Sequence, residues 1–564
     1  MTALPSPEGS AAGKAAVILS ALFVPLGLWL GFPNDVLVCP PLVLLCPLGL
    51  ALLGKLCRSG AKALLLGFLA GTIGHAAALY WLALPMSVVG GLSLPLSSVL
   101  AFLVAALLAT QCGLFCLLSH FFWKEESISS SCALGLAWFL LEYAYAYGIG
   151  FPWLPLSGAL AVWPVLVQPA CLVGAGLTGG LWTAGILLSA ASFRGGGART
   201  LLPGLFIFAC LTGFGVFSVL QTPATDRPAG ENTFPVLMTE GNIDQNQKWN
   251  EAFRKATADT YIGLSRTAIE KAGTRISSEE KAKGLIIWPE TAMPFDLEKS
   301  PYADGIRGFA EKSGMPLLTG EIGVVPAGIQ GERVYNRALL ILKNGVYGGS
   351  YDKEHLVPFG EYVPTILQWD LLSGLLQDVG AYTAGNGSGP LRTDNLAIGT
   401  LICYEGIFPW LAQARTAEGA NVLVDISNDG WFGDTPAPRQ HMYLTALRAL
   451  EQNRWLVRGT NTGISCVVDP LGRIVFRGPQ FTADALWARA ATITKPSVYH
   501  RVSPFIPPLC LLLMAVLFWR QIRMNRKYGA VKGTAPGVPG PERPLHDPLG
   551  ASLTRTGTKR ALAK

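Results

Sequence analysis

Three residues at the ends of apolar runs carry the chemistry this sequence offers: Glu290 after "LIIWP", Lys353 after "GVYGGSYD" and Cys403 after "GTLI". A thiol attacks carbonyl carbons and leaves again, which suits covalent catalysis, but only the thiolate is a good nucleophile. A carboxylate in reach can take the thiol proton, and a lysine ammonium stabilises both a thiolate and the oxyanion of a tetrahedral intermediate. Together the three types suffice for acyl transfer through a thioester. Taken singly, each also has a plain structural reading: Cys403 as a small core residue, Glu290 as an exposed strand-end charge, Lys353 as part of a solvated "DKEH" turn. Of the six histidines, only His355, His441 and His500 fall in or near the same region. A Cys–His pair through His355 or His441 is the competing activation scheme. No zinc-type ligand spacing occurs, so neither a metal nor a cofactor is expected.

The segments that must position these residues alternate. The apolar runs "FPVLMTEGNI", "GLIIWPET", "MPLLTGE", "LAIGTLICYE" and "ANVLVDISND" each end in a polar or acidic residue. Helical stretches lie between several of them, at about 250–271 and about 438–456. The second places Met442, Ala446, Leu447 and Leu450 on one face. "RALLILKNGVYGGSYDK" reads as a hairpin with Asn344-Gly345 in a type I′ turn, and "SCVVDPLGRIVF" repeats the pattern around Asp469 to Gly472. The region is thus α/β with some antiparallel pairing, and sites in such sheets collect at strand ends.

This unit is embedded in a chain of a different character. Of 564 residues, 50% are hydrophobic and only 14% charged, the balance of an integral membrane protein. Counting runs of roughly 17–25 residues places seven spans before the α/β region, at about 15–31, 35–54, 63–84, 95–122, 132–150, 165–192 and 201–220, and an eighth near 503–519. With a cytoplasmic N-terminus, the inside connections hold Lys14, then Lys55, Arg58 and Lys62, then Lys124, then Arg194 and Arg199, and last Arg520, Arg523, Arg526 and Lys527. That asymmetry obeys the positive-inside rule and puts the α/β unit outside the cytoplasm. The expected division is 1–222 membrane domain, 223–500 catalytic domain, 501–520 final helix and 521–564 a basic, disordered cytoplasmic tail. The formal charge of +7 sits largely in the inside loops and tail, so nothing supports a nucleic-acid partner.

Three further features need a reading. Of eleven cysteines, only Cys403 and Cys466 belong to the outer unit, and a bridge between them is the bland alternative to a catalytic thiol. Cys112 and Cys116 read as packing residues. Gly174, Gly176 and Gly179 have dinucleotide-fingerprint spacing but lie in an apolar span, where Gly176 and Gly180 suit close helix packing instead. Glu142, a carboxylate at membrane depth, is expected to face a cavity or partner, or to lie near the interface.

"IIWPET", "YDKEHLVPFGEYVP" and "LICYEGIFP", in that order, resemble the Glu, Lys and Cys motifs of the nitrilase superfamily. The "HLVPFGEYVP" form, "GFPWLPLSG" and the forty residues from "DISNDGWFGD" to "GTNTGIS" resemble its membrane-bound branch, the apolipoprotein N-acyltransferases. The resemblance implies an αββα sandwich on eight membrane helices, with Cys403 as nucleophile, Glu290 as general base and Lys353 as stabiliser of the tetrahedral intermediate. It gives Glu361 an orienting role, sets Tyr404 and Glu405 beside the nucleophile, and makes Trp249 a substrate contact in a mobile region. It implies a ping-pong reaction in which a phospholipid, typically phosphatidylethanolamine, acylates the cysteine. The α-amino group of a diacylated apolipoprotein's N-terminal cysteine then takes the acyl chain, all within the bacterial inner membrane with the catalytic domain on the periplasmic side. Glu354, beside the lysine, and the basic tail have no counterpart role. A membrane-tethered amidase with the same three residues, and a transporter or scaffold that only binds, are the competing readings.

Overall fold

The computed structural model describes residues 10–533 apart from 89, 125, 194–196, 223–231, 329–330, 364–381 and 388. The expected domain boundary at 222/223 therefore borders an undescribed segment, and the tail beyond 533 lies outside the described residues.

In the N-terminal half, helices α1 (Ala11–Gly31), α2 (Leu45–Leu56), α3 (Gly60–Ala78), α4 (Leu94–Phe122), α5 (Ile128–Gly148), α6 (Ala170–Ala191) and α7 (Ala198–Gln221) form one bundle. Among the described residues, six stretches are long and apolar enough to cross a membrane: α1, α3, α4, α6, α7 and Val498–Arg523. Two of the eight expected spans fall short for local reasons. The 35–54 run is broken at its start, where the Asn34 side chain bonds the carbonyls of Trp29, Phe32 and Leu37 and the N–H groups of Val36 and Leu37 at 2.6–3.0 Å, leaving Pro40–Leu56 as a short apolar helix. Helix α5 has the length, but Ser129 to Ser131, Glu142 and three tyrosines dilute its hydropathy. Close packing rests on small residues: the Gly180 Cα backs onto the Gly135 carbonyl, and Gly67 and Gly71 onto Cys116 and Cys112. Gly174, at φ +81°, interrupts α6 where the Tyr499 ring occupies the space a side chain would need.

The α/β unit stacks two six-stranded sheets. Its strands are β1 (Thr233–Glu240), β2 (Leu285–Ile287), β3 (Leu317–Pro326), β4 (Glu332–Ile341), β5 (Tyr347–Asp352), β6 (Leu391–Arg392), β7 (Ala397–Ile402), β8 (Val422–Ser427), β9 (Leu456–Thr460), β10 (Cys466–Val468), β11 (Ile474–Arg477) and β12 (Asp484–Ala491). The orders are β12-β1-β2-β3-β4-β5 and β11-β10-β9-β8-β7-β6. Each sheet has a parallel centre, β1-β2-β3 or β7-β8-β9, flanked by antiparallel strands.

Strict alternation sorts the strands' side chains. Val236, Met238, Ile287 and Leu318 meet Ile398, Ile402, Val424 and Val457 between the sheets. Leu237, Ile286 and Leu317 face outward onto α8 (Arg254–Ala272) and α9 (Ala303–Ser313). On the far side, Leu401, Leu423 and Leu456 meet α10 (Pro409–Ala417) and α11 (Ala437–Gln452), and this layer shares one continuous core with the membrane bundle. Helix α11 stops at Gln452, short of the expected 456, because Asn453 turns left-handed (φ +54°). A last helix, α12 (Ile506–Gly533), carries the helical path well past the expected 519.

The hairpin between β4 and β5 is present, but its turn is not type I′. Gly345 has φ +73° while Asn344 does not enter positive φ, and Gly345 N–H donates to Leu342 O at 2.9 Å. This is a right-handed turn closed by one left-handed glycine, and Gly472 (φ +72°) closes the β10–β11 turn the same way.

Candidate active site

Glu290, Lys353 and Cys403 all follow strands and meet at one end of the sandwich. Strand β2 is buried on both faces, and the chain leaves it through Trp288-Pro289. Gly320 N–H donates to Pro289 O at 3.1 Å, and its missing side chain makes room for the Glu290 backbone. Thr291 then reverses direction at φ +49°. Glu290 ends up 5% exposed and Lys353 1% exposed, so neither is the solvated surface charge its local sequence permits.

Lys353 is clasped by backbone on both sides, donating N–H to Asn336 O at 2.9 Å and accepting from Gly385 N–H at 2.8 Å. Its Nζ lies 2.9 Å from Glu361 Oε1 and 3.3 Å from Glu290 Oε1. Asn336 Nδ2 donates to the same two oxygens at 2.8 and 2.7 Å. Glu361 is fixed from behind by Val357 N–H, 2.8 Å from Oε2. Glu290 Oε2, by contrast, is buried with no partner among the described residues. One oxygen of this carboxylate is held while the other is free to accept a proton.

Cys403 ends β7 at φ +54° and opens a tight helical turn, Cys403–Ile407. A left-handed backbone at a non-glycine residue costs on the order of 1–3 kcal/mol and persists only where neighbours over-determine it. Glu405 is one such neighbour. Its carboxylate accepts from Ile402 N–H (2.9 Å), Glu354 N–H (2.8 Å), His355 N–H (3.0 Å) and Tyr351 OH (2.9 Å), tying the turn at Cys403 to the strand that ends at Lys353. Tyr404 points the other way, its hydroxyl donating to Gly150 O in the membrane half.

Charges are balanced tightly here. Burial pushes the Cys403 thiol well above its ordinary range, Glu290 adds to that, and Lys353 opposes it. The thiol therefore rests protonated. Lys353 is disfavoured as a cation by burial, but Glu361 and Glu290 outweigh that and hold it firmly charged. The Glu354 side chain turns away to Arg415 at 2.5 Å.

Two members escaped sequence reasoning. Asn336 is one polar residue in the alternating strand "ERVYNRALLI", with no signature of its own. Lys248, 2% exposed, donates from Nζ to the Glu290 carbonyl at 3.1 Å. Burial brings its ammonium down to about 8 against the pull of Glu290 and Cys403. Its signal was adjacency to Trp249, which is itself 48% exposed and stands outside the buried cluster. The competing schemes fare differently: Cys403 and Cys466 are both free thiols, and His355 packs on the Phe408 ring at 4.1 Å. His441 reaches the carbonyl oxygen of Cys403 at 3.1 Å. Among the described residues no group of His, Cys, Asp and Glu is arranged to hold a metal ion.

Glu142 accepts from Trp138 Nε1 and Leu156 N–H, both at 2.7 Å, and borders a small cavity of about 30 Å³ with His75, Gln111 and Tyr145.

Residues 247–493 match the carbon-nitrogen hydrolase family, and residues 16–186 match the apolipoprotein N-acyltransferase N-terminal domain. An apolipoprotein N-acyltransferase of Geobacter metallireducens is 34% identical over 470 residues, 81% of this chain and 86% of the relative. One from Pseudomonas syringae is 30% identical over 464 residues, 78% of this chain and 84% of the relative. Among solved structures, an amidase of the nitrilase superfamily from Nesterenkonia aligns with 49% of this chain and 95% of its own at 17% identity and a TM-score of 0.35. With these two domain matches and relatives at least 30% identical over more than four-fifths of their length, the chain belongs to the apolipoprotein N-acyltransferase family.

Proposed function

We propose that this membrane enzyme transfers an acyl chain from a phospholipid, through a thioester on Cys403, to the α-amino group of a diacylated apolipoprotein. The observation that carries it is the buried cluster in which Lys353 bridges Glu290 and Glu361 beside a thiol on a left-handed turn. Glu290 takes the Cys403 proton, and the thiolate attacks the ester carbonyl of the donor. Lys353 steadies the tetrahedral oxyanion. Collapse breaks the ester bond, and the lysophospholipid alkoxide leaves with the proton from Glu290. The acceptor amine then attacks the thioester and gives Glu290 a proton. The second intermediate releases the amide and returns that proton to the thiol.

Glu361 and Asn336 keep the lysine and the base in register, Glu405 and Tyr404 hold the nucleophile's turn, and Trp249 contacts lipid. Phosphatidylethanolamine is the donor. Residues 1–222 and 501–520 form the membrane part, 223–500 the catalytic domain on the periplasmic face of the bacterial inner membrane, and both termini are cytoplasmic. The charge asymmetry of the connections supports this orientation. The test is intact-protein mass after incubation with phosphatidylethanolamine. A hydroxylamine-labile gain of one acyl chain on the native chain, absent from Cys403→Ala, is the expected result. A folded sample with neither adduct nor released lysophospholipid would sink the reading.

A further inference from the structure

Gln440 and His441 are consecutive residues in the first turns of α11, both buried, and between them they join the two halves of the protein. Gln440 is bound to the membrane half four times over. Its Oε1 accepts from Trp153 Nε1 at 2.8 Å and Trp81 Nε1 at 3.2 Å, and its Nε2 donates to Pro33 O at 3.0 Å and Ala78 O at 3.3 Å. His441 faces the catalytic loop. Its Nε2 lies 3.1 Å from the Cys403 carbonyl oxygen, while its Nδ1 lies 2.9 Å from Arg458 and 3.2 Å from Asp429 Oδ1. The ring also packs on Trp153, centroid to centroid 5.4 Å.

These contacts dictate the proton's place. A carbonyl oxygen only accepts, so Nε2 carries the hydrogen. A guanidinium only donates, so at 2.9 Å Nδ1 accepts from Arg458, and its 3.2 Å approach to Asp429 Oδ1, itself only an acceptor, is a contact and not a hydrogen bond; Arg458 also grips Asp429 through two nitrogens at 2.9 and 3.1 Å. Arg458 is fully buried and further bound to Asp425, Ser427 and the Ile464 carbonyl, which makes it a rigid base for the ring. The imidazole is thus a strut with one end on a fixed cation and the other on the nucleophile's own carbonyl.

From this geometry we infer that His441 is a positioning residue for acyl transfer, holding Cys403 in its left-handed conformation through the carbonyl oxygen. With Gln440 beside it, the first turns of α11 lock the nucleophile to the membrane segments that seat the lipid-facing half. The inference rests on Cys403 being the nucleophile. It assigns His441 no proton-transfer role.

Two variants separate this role from a merely structural one, because each mimics one ring nitrogen. His441→Gln places an amide N–H near the Nε2 position and loses the Nδ1 acceptor. His441→Asn offers a partner to Arg458 and stops short of the Cys403 carbonyl. Single-turnover acylation by phosphatidylethanolamine vesicles, read by intact mass across lipid concentrations, should give kcat within about 3-fold of native for Gln. A fall of about 10- to 100-fold is expected for Asn, with KM unchanged in both. The reverse order, or equal losses, would overturn the inference and leave His441 as a support for Arg458. Should the Asn variant not fold, His441→Phe keeps the ring packing and drops both nitrogens; its kcat must fall equally, and a value within about 3-fold of native would overturn the inference. A native chain that forms no thioester removes the underlying assignment of Cys403 as well, an outcome distinct from a thioester whose rate ignores these substitutions.

Discussion

The two sheets of the sandwich are built to one plan and dressed for two environments. Each has three parallel strands at its centre and a residue of the candidate site just beyond one of them, Glu290 after β2 and Cys403 after β7. The helices on the β2 side keep a wet face: in α8 only Thr257, Ala258, Tyr261, Ser265, Ala268 and Ala272 are buried, and Arg254, Lys255, Asp259, Arg266, Glu270 and Lys271 are among the residues left outside. On the β7 side nearly all of α11 is buried, Arg448, Glu451 and Gln452 included, because its outer face meets the bundle. The difference teaches how a soluble catalytic fold becomes a membrane enzyme. One helical layer stays wet and the other becomes an interface, with Cys403 on the interface side.

The strongest break in this comparison removes chemistry from the wet side alone. Glu290→Gln should lower single-turnover acylation by at least about 10³-fold. It should also make Cys403 alkylate faster with iodoacetamide at fixed pH, since the charge that helps keep the thiol protonated is gone. Slower alkylation would refute this electrostatic account. Packing deletions come next. Phe309→Ala, in the layer against Trp288, should lose about 3–5 kcal/mol of stability by denaturant titration while the folded fraction keeps its lipid KM. Leu444→Ala, against Gly158 of the membrane half, should lose about 2–5 kcal/mol and raise that KM, because it loosens the seat.

A smaller effect concerns Lys248. Its ammonium is present below about pH 8 and lost above it, so activity that relies on this charge declines as pH rises through that value. Lys248→Met should flatten this limb of the rate profile; an unchanged limb would assign it to another group. The least change is expected from Lys343→Ala, which removes the exposed 2.6 Å pair with Asp394 between the two sheets' hairpins. Its loss should stay below about 1 kcal/mol.

What the sequence announces and what it hides follow the same division. Strand alternation, both hairpins and the strand-end placement of Glu290, Lys353 and Cys403 depend on local patterning, and each is legible. The type of turn at Asn344-Gly345 is not, because the same dipeptide serves a right-handed turn closed by one left-handed glycine. Asn336 and Lys248 are invisible for another reason: each matters through contacts far along the chain, Lys248 at the Glu290 carbonyl and Asn336 at the Glu290 and Glu361 carboxylates. His441 was weighed as a partner for the thiol, whereas its contact is with the backbone behind it, which no spacing rule encodes. Of the eight expected spans, six meet the length and hydropathy of a crossing helix among the described residues, and the 35–54 run is the least legible because the Asn34 side chain organises a loop at its start.

The Lys353–Glu290–Glu361 arrangement, completed by Lys248, has a consequence for working beside a lipid phase. Two cations face two carboxylates around a neutral thiol. Moving the proton from Cys403 to Glu290, forming the oxyanion and expelling the leaving group only shift charge among these groups. In the proposed reaction, and below about pH 8 where Lys248 keeps its charge, these four side chains and the thiol sum to zero at every stage, so no counterion has to cross into a low-dielectric pocket during turnover. The chemical step should therefore be indifferent to the ionic strength of the surrounding water.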